Sequence, residues 1–169
     1  MKKIIVIAFF AMIIYSFSNG TTKEILIPSD ALRFRVIANS DTESDQQVKV
    51  KIKEVVDEYL NKILKDTNNK SDASTVVQKE INNIKQIVNE YHSNYEINFG
   101  KNFFPEKTFK GVKYAAGEYD SLVITLGEGK GENWWCVMYP PLCLMESEES
   151  YSEADYQFYI KNLLTKHQL

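Results

Sequence analysis

The run GEGKGENWWCVMYPPLC at 127–143 holds three of the chain's seven glycines, two of its four prolines, both tryptophans and both cysteines. Such residues together raise three chemistries: a phosphate-cradling loop, a cysteine nucleophile, and a surface built for recognition. The loop GEGKGEN fits the first poorly. A Walker loop needs a hydroxyl residue after its lysine, and Lys130 is followed by Gly131. A dinucleotide fingerprint needs a helix next, and a tryptophan-bearing strand follows instead. A hairpin connection whose glycines supply positive φ is the plainer reading. It leaves Asn133, Trp134 and Trp135 at the loop exit unexplained.

Cys136 would act as a nucleophile only beside a histidine base oriented by a third group. His92 and His167 are the two histidines, and neither sits in a supporting motif. A strand position also lacks the helix N-terminus that stabilises a thiolate. The other reading is a disulfide between Cys136 and Cys143, closing a short loop worth about 2–3 kcal/mol. The cysteine spacing does not match a zinc site. The acidic run Glu146, Glu148, Glu149 reads as a solvated loop rather than a calcium site.

The chain has 18 lysines and only two arginines, Arg33 and Arg35. On a strand, residues two apart share a face, so both guanidiniums project together. They either bridge acidic residues on neighbouring strands or clamp an anionic group of a partner, which Arg does bidentately and Lys does not. Trp134 and Trp135 alternate, so one faces the core and the other is free to anchor an interface.

The elements that must position these residues are legible from periodicity. Residues 1–20 carry Lys2 and Lys3, then an uncharged apolar run from Ile4 to Tyr15, then small residues. That run is shorter than the ~20 residues of a membrane span. It reads as a secretory signal peptide, the alternative being an uncleaved N-terminal anchor. Residues 21–169 fit one exported domain. Without Lys2 and Lys3, 18 basic and 23 acidic residues leave a net charge of −5. That balance argues against nucleic acid as a partner.

LRFRVIAN at 32–39 alternates as a half-buried strand. A polar turn with good cap residues follows. Amphipathic helices are expected from about Ser44 to Lys65 and from about Ala73 to His92, joined by a short break and therefore antiparallel. Strands are expected at 94–102, 119–126 and 134–138, and a helix from Glu153 to Lys166. The order gives an α+β fold, with helices covering one face of a mostly antiparallel sheet.

LRFRVIANSDTESDQQVKVKIKEVV and LVITLGEGKGENWWCVMYPPLC together resemble the stage II sporulation protein R family of endospore-forming bacteria. They match its hallmark patterns R-[LF]-R-V-I-A-N-S-D-x-x-x-D-Q-x-x-K and G-x-G-x-G-x-N-W-W-C-x-x-[FY]-P-P-L-C. The resemblance implies a protein secreted from the forespore into the intermembrane space of the sporulation septum. It implies a partner there: a membrane-embedded aspartic protease of the mother-cell septal membrane, which processes a precursor sigma factor. The chain itself is then an activator and not an enzyme, with no cofactor. It carries no aspartic-protease motif and no complete triad of its own. The resemblance supplies no residue roles. Chemistry alone selects Arg33, Arg35, Asn39, Asp41, Glu128, Lys130, Asn133, Trp134 and Trp135 as the partner-facing set. The competing functions are an exported cell-wall hydrolase using Cys136 and a wall-binding module using the tryptophans.

Overall fold

The computed structural model describes residues 25–27, 30–143 and 152–167. The leader at 1–20 and the acidic run at 146–149 lie outside the described residues. The elements run β1 (Ile25–Ile27), β2 (Leu32–Ile37), α1 (Glu43–Leu64), α2 (Lys70–Asn89), β3 (Tyr95–Phe104), β4 (Lys107–Phe109), β5 (Val112–Tyr114), β6 (Gly117–Leu126), β7 (Asn133–Tyr139) and α3 (Glu153–His167). The fold is α+β, as expected.

Both long helices start at side-chain caps. The Thr42 hydroxyl accepts from the Asp45 N–H, and the Asn69 side chain accepts from the Asp72 N–H. Asn69 starts α2 three residues before the apolar stripe does, which is why the periodicity alone places that start late. Ile52, Val56, Leu60 and Leu64 of α1 and Ala73, Val77, Ile84 and Val88 of α2 form the buried stripes. They pack on Leu32, Phe34, Val36, Leu122, Ile124 and Leu126 of the sheet, making a first core.

The main sheet has the order β3-β6-β2-β7. β2 pairs parallel with β6 and antiparallel with β7, while β3 pairs antiparallel with β6. Three short strands escape the sequence reading because three residues carry no period. They form a second sheet, β1-β5-β4. β4 and β5 turn at Lys110 and Gly111, whose φ values of 45° and 71° suit a tight hairpin.

This second sheet and α3 build a second core on the other face of the main sheet. It joins Ile27, Tyr114, Tyr156 and Ile160 to Phe104, Tyr119, Trp135 and Val137. The Tyr114 and Tyr156 hydroxyls meet at 2.6 Å. The helices therefore do not all lie on one face. β2 is also not half-buried: both of its faces are covered along most of its length. Its central place in the sheet, between β6 and β7, is the reason.

Cys136 and Cys143 form a disulfide. It lies in the first core beside Met138 and Tyr139. Replacing both cysteines by alanine should leave the fold intact and lower its stability by about 2–3 kcal/mol, as a short closed loop requires. Urea denaturation checks this. Loss of cooperative unfolding would show instead that the link is needed for the fold.

Candidate functional site

The loop 127–132 is not a hairpin. β6 and β7 do not pair with each other; each flanks β2. Thr125 of β6 and Asn133 of β7 both stand opposite Ile37, the last residue of β2. The connection must therefore cross over the end of β2, and the chain leaving β2 at 38–41 passes against it.

That crossing sets the local chemistry. The backbone groups of both segments need partners. The N–H of Gly131 donates to the Ala38 carbonyl and that of Lys130 to the Asn39 carbonyl, each at 3.0 Å. Side chains complete the clasp. Asn39 Oδ1 accepts from the Glu128 N–H at 2.9 Å, and Asp41 Oδ1 accepts from the Glu132 N–H at 2.6 Å. Lys49 Nζ, on α1, donates to the Glu132 carbonyl at 3.2 Å and also to Gln46 Oε1. Gln46 Nε2 in turn donates to the Ser40 carbonyl at 2.9 Å.

Asp45 anchors the assembly. Its carboxylate accepts from Ser40 Oγ at 2.5 Å and from Asn39 Nδ2 at 2.8 Å. Those two hydrogen bonds hold its pKa below the usual carboxylate value, against a smaller opposing effect of burial.

The glycines are used for space as well as for φ. A Cβ at Gly131 would stand 2.2 Å from the Ser40 carbonyl oxygen. A Cβ at Gly127, whose φ is +55°, would stand 2.1 Å from Asn39 Oδ1.

The expected partner-facing set divides. Glu128, Lys130 and Asn133 point to solvent from the clasped loop. Asn39 is half-buried, and its side chain and the Asp41 carboxylate are turned onto the loop backbone. These two act as positioning groups.

Arg33 is a correction: it is wholly buried. Its guanidinium lies over the Tyr119 ring at 3.4 Å, with Trp135 at 4.7 Å and Phe104 at 5.0 Å, and donates to the Ala115 carbonyl. Cation–π attraction, which strengthens on desolvation, draws it inward. A surface clamp therefore does not describe it.

Arg35 is half-buried. It lies over Phe104 at 3.8 Å and donates to the Phe103 carbonyl. Burial lowers its pKa. Trp135 is also a correction, since it belongs to the second core. Trp134 is the more exposed of the two, packed edge-on against Phe34 and capped by Lys53. Cys136 is fully buried and disulfide-bonded, so it presents no thiolate.

Ser40, Asp45, Gln46 and Lys49 were not selected from the sequence. The signal was present in the spacing N-S-D-x-x-x-D-Q-x-x-K, which places Asp45, Gln46 and Lys49 on the first turns of α1, facing back toward the loop.

Three outcomes follow from this geometry. Gly131→Ala should cost about 1–3 kcal/mol through overpacking against Ser40, with the largest chemical-shift changes at 38–41 and 127–132. Arg33→Ala should cost on the order of 3 kcal/mol, as truncating a large core side chain does, while the half-buried Arg35→Ala should cost less; parallel urea melts compare them. Asp45 has a depressed folded pKa, so its contribution is fully present above the unfolded value of about 3.9 and is lost as pH falls through the lower folded value. An NMR titration should find the Glu128 amide moving together with the Asp45 carboxyl below pH ~4.

The comparisons with known proteins agree with the two motif segments. The family profile described as "Stage II sporulation protein R" matches residues 28–149, a span that contains the whole clasp. A protein of Bacillus subtilis (strain 168), "Stage II sporulation protein R", is 34% identical over 163 residues, covering 86% of this chain and 73% of that one. No solved structure matches. The chain thus belongs to the stage II sporulation protein R family.

Proposed function

We propose that this protein is an exported sporulation signal that activates a membrane-embedded aspartic protease. In this reading it leaves the forespore and acts in the space between the two septal membranes. The protease then processes a precursor sigma factor in the mother cell. The observation that carries the reading is the family match over 28–149, which includes both segments of the clasp.

The clasp suits a binding role. A loop whose backbone is already pinned loses little conformational entropy on docking. Glu128, Lys130, Glu132 and Asn133 project from it and are exposed. Ile37 and Thr125, both half-buried, extend this surface onto the adjoining sheet end. Such a surface activates a protease only by binding its active state more tightly than its inactive state. The wall-hydrolase reading asks for a free thiolate at Cys136, where a buried disulfide stands. The wall-binding reading asks for accessible tryptophan faces; Trp135 is buried, and Trp134 is packed edge-on against Phe34 and capped by Lys53.

The test is reconstitution in a non-sporulating host that expresses the protease and its precursor substrate. Cleavage is expected to require this protein and to persist when both cysteines are replaced by alanine. The combined variant Glu128→Ala, Lys130→Ala, Asn133→Ala should stay folded and lower cleavage about tenfold, a loss of roughly 1.4 kcal/mol in docking. A well-exported protein that leaves cleavage unchanged would remove the activator reading.

A further inference from the structure

We propose that the outer edge of β3 receives an extended strand from the partner protein. β3 is the terminal strand of the main sheet and pairs with β6 along all ten of its residues. Which of its backbone groups face outward follows from one bond. The Gly127 N–H donates to the Asn94 carbonyl at 2.7 Å, so the 94/127 pair is hydrogen-bonded. In an antiparallel ladder such pairs alternate. The even residues from Glu96 to Phe104 therefore turn their N–H and C=O toward β6, and the odd residues Tyr95, Ile97, Phe99, Lys101 and Phe103 turn theirs away. The Gly100 carbonyl agrees with this phase, because it accepts from Ser121 Oγ on β6 at 3.3 Å, and the Phe103 carbonyl is already taken by Arg35 Nη2 at 3.0 Å. The open stretch is then Tyr95 to Lys101.

Few of the usual edge defences are present. The strand exceeds the common length of about 5–6 residues. It holds no proline, and its register runs without a bulge. Its one lysine, Lys101, is tied at 3.2 Å to Asp120 on β6.

The side chains state what kind of strand would fit. Tyr95, Ile97 and Phe99 pack against the first core yet remain half-buried, whereas Leu122, Ile124 and Leu126 opposite them on β6 are buried. The difference is that no strand among the described residues lies beside β3 on its outer side. On the other face, Glu96 and Asn98 are exposed. The occupant is thus an extended segment that alternates apolar and polar residues, its apolar side covering Tyr95, Ile97 and Phe99. A second copy of β3 fits less well. Two-fold antiparallel pairing of outward-facing odd residues sets odd against odd and even against even, so Glu96 and Lys101 never face each other.

The identity of the partner rests on the proposed function: the segment belongs to the extracytoplasmic part of the protease. Two experiments test the edge. In the free domain, amide exchange should alternate, with 96, 98, 100 and 102 protected and 95, 97, 99 and 101 fast. Equal protection of the odd amides would mean the edge is already covered and would overturn the inference. In the reconstituted system, Lys101→Pro removes only an outward N–H. It should lower processing about tenfold relative to Lys101→Ala. Ile97→Lys, which places a charge under the incoming strand, should do the same and serves if the proline variant does not fold. Equal processing by the matched variants would overturn the inference while leaving the activator reading intact, whereas wild-type protein without effect would remove that reading itself. A wild-type dimer that Lys101→Pro converts to monomer would assign the edge to a second copy and overturn the proposal.

Discussion

The end of β2 is the constraint on which the rest of the structure depends. Because β6 and β7 flank β2 on opposite sides, the chain between them has to pass over the point where β2 exits. Two stretches of backbone are pressed together there, each with polar groups that sheet pairing does not satisfy. The sequence answers with short polar side chains that bond to backbone and with a glycine where no Cβ has room. Asn39 and Asp41 accept loop amides, Lys49 donates to a loop carbonyl, and Asp45 holds Asn39 in place. Each bond is worth only about 1 kcal/mol net, but each group left unpaired would cost more than that. The clasp is thus better described as the avoidance of orphaned groups than as a sum of attractions.

Arg33 is the second dependency. Near the start of β2, at the opposite end from the clasp, it commits the other face of the strand to burial. Its stem and guanidinium fill space among Tyr119, Trp135 and Phe104, rings contributed by three different strands. Those rings in turn receive Tyr114 of the small sheet, and Tyr114 meets Tyr156 of α3. The second core is therefore organised around a cation, and the first around aliphatic helix stripes. β2 is the element common to both.

Much of this was legible in the sequence. The long helices, the four strands of the main sheet and α3 announce themselves through period, and the start of α1 through the polar turn that precedes it. The small sheet does not, because three-residue strands such as Lys107–Phe109 have no periodicity to detect. The motif residues were visible, but their direction was not. Asn39 and Asp41 look like surface groups from the sequence because nothing local says that residues about ninety positions away supply their donors. Arg33 misleads for the same reason: alternation places it opposite the aliphatic face, and only the tertiary arrangement brings three aromatic rings around it. The glycine loop reads as a hairpin because strand order cannot be inferred from spacing.

The division between inward and outward side chains gives the account its functional content. Asn39, Asp41, Asp45, Gln46 and Lys49 hold the loop, and Glu128, Lys130, Glu132 and Asn133 are what the loop displays. The most direct measurement is the concentration of Asn39→Ala protein needed to drive precursor processing, compared with wild type, with folding confirmed by circular dichroism. The same maximal processing is expected at a concentration about tenfold higher, because the loop must then be ordered during docking. An unchanged concentration dependence would contradict the claim that the clasp prepares the loop for its partner.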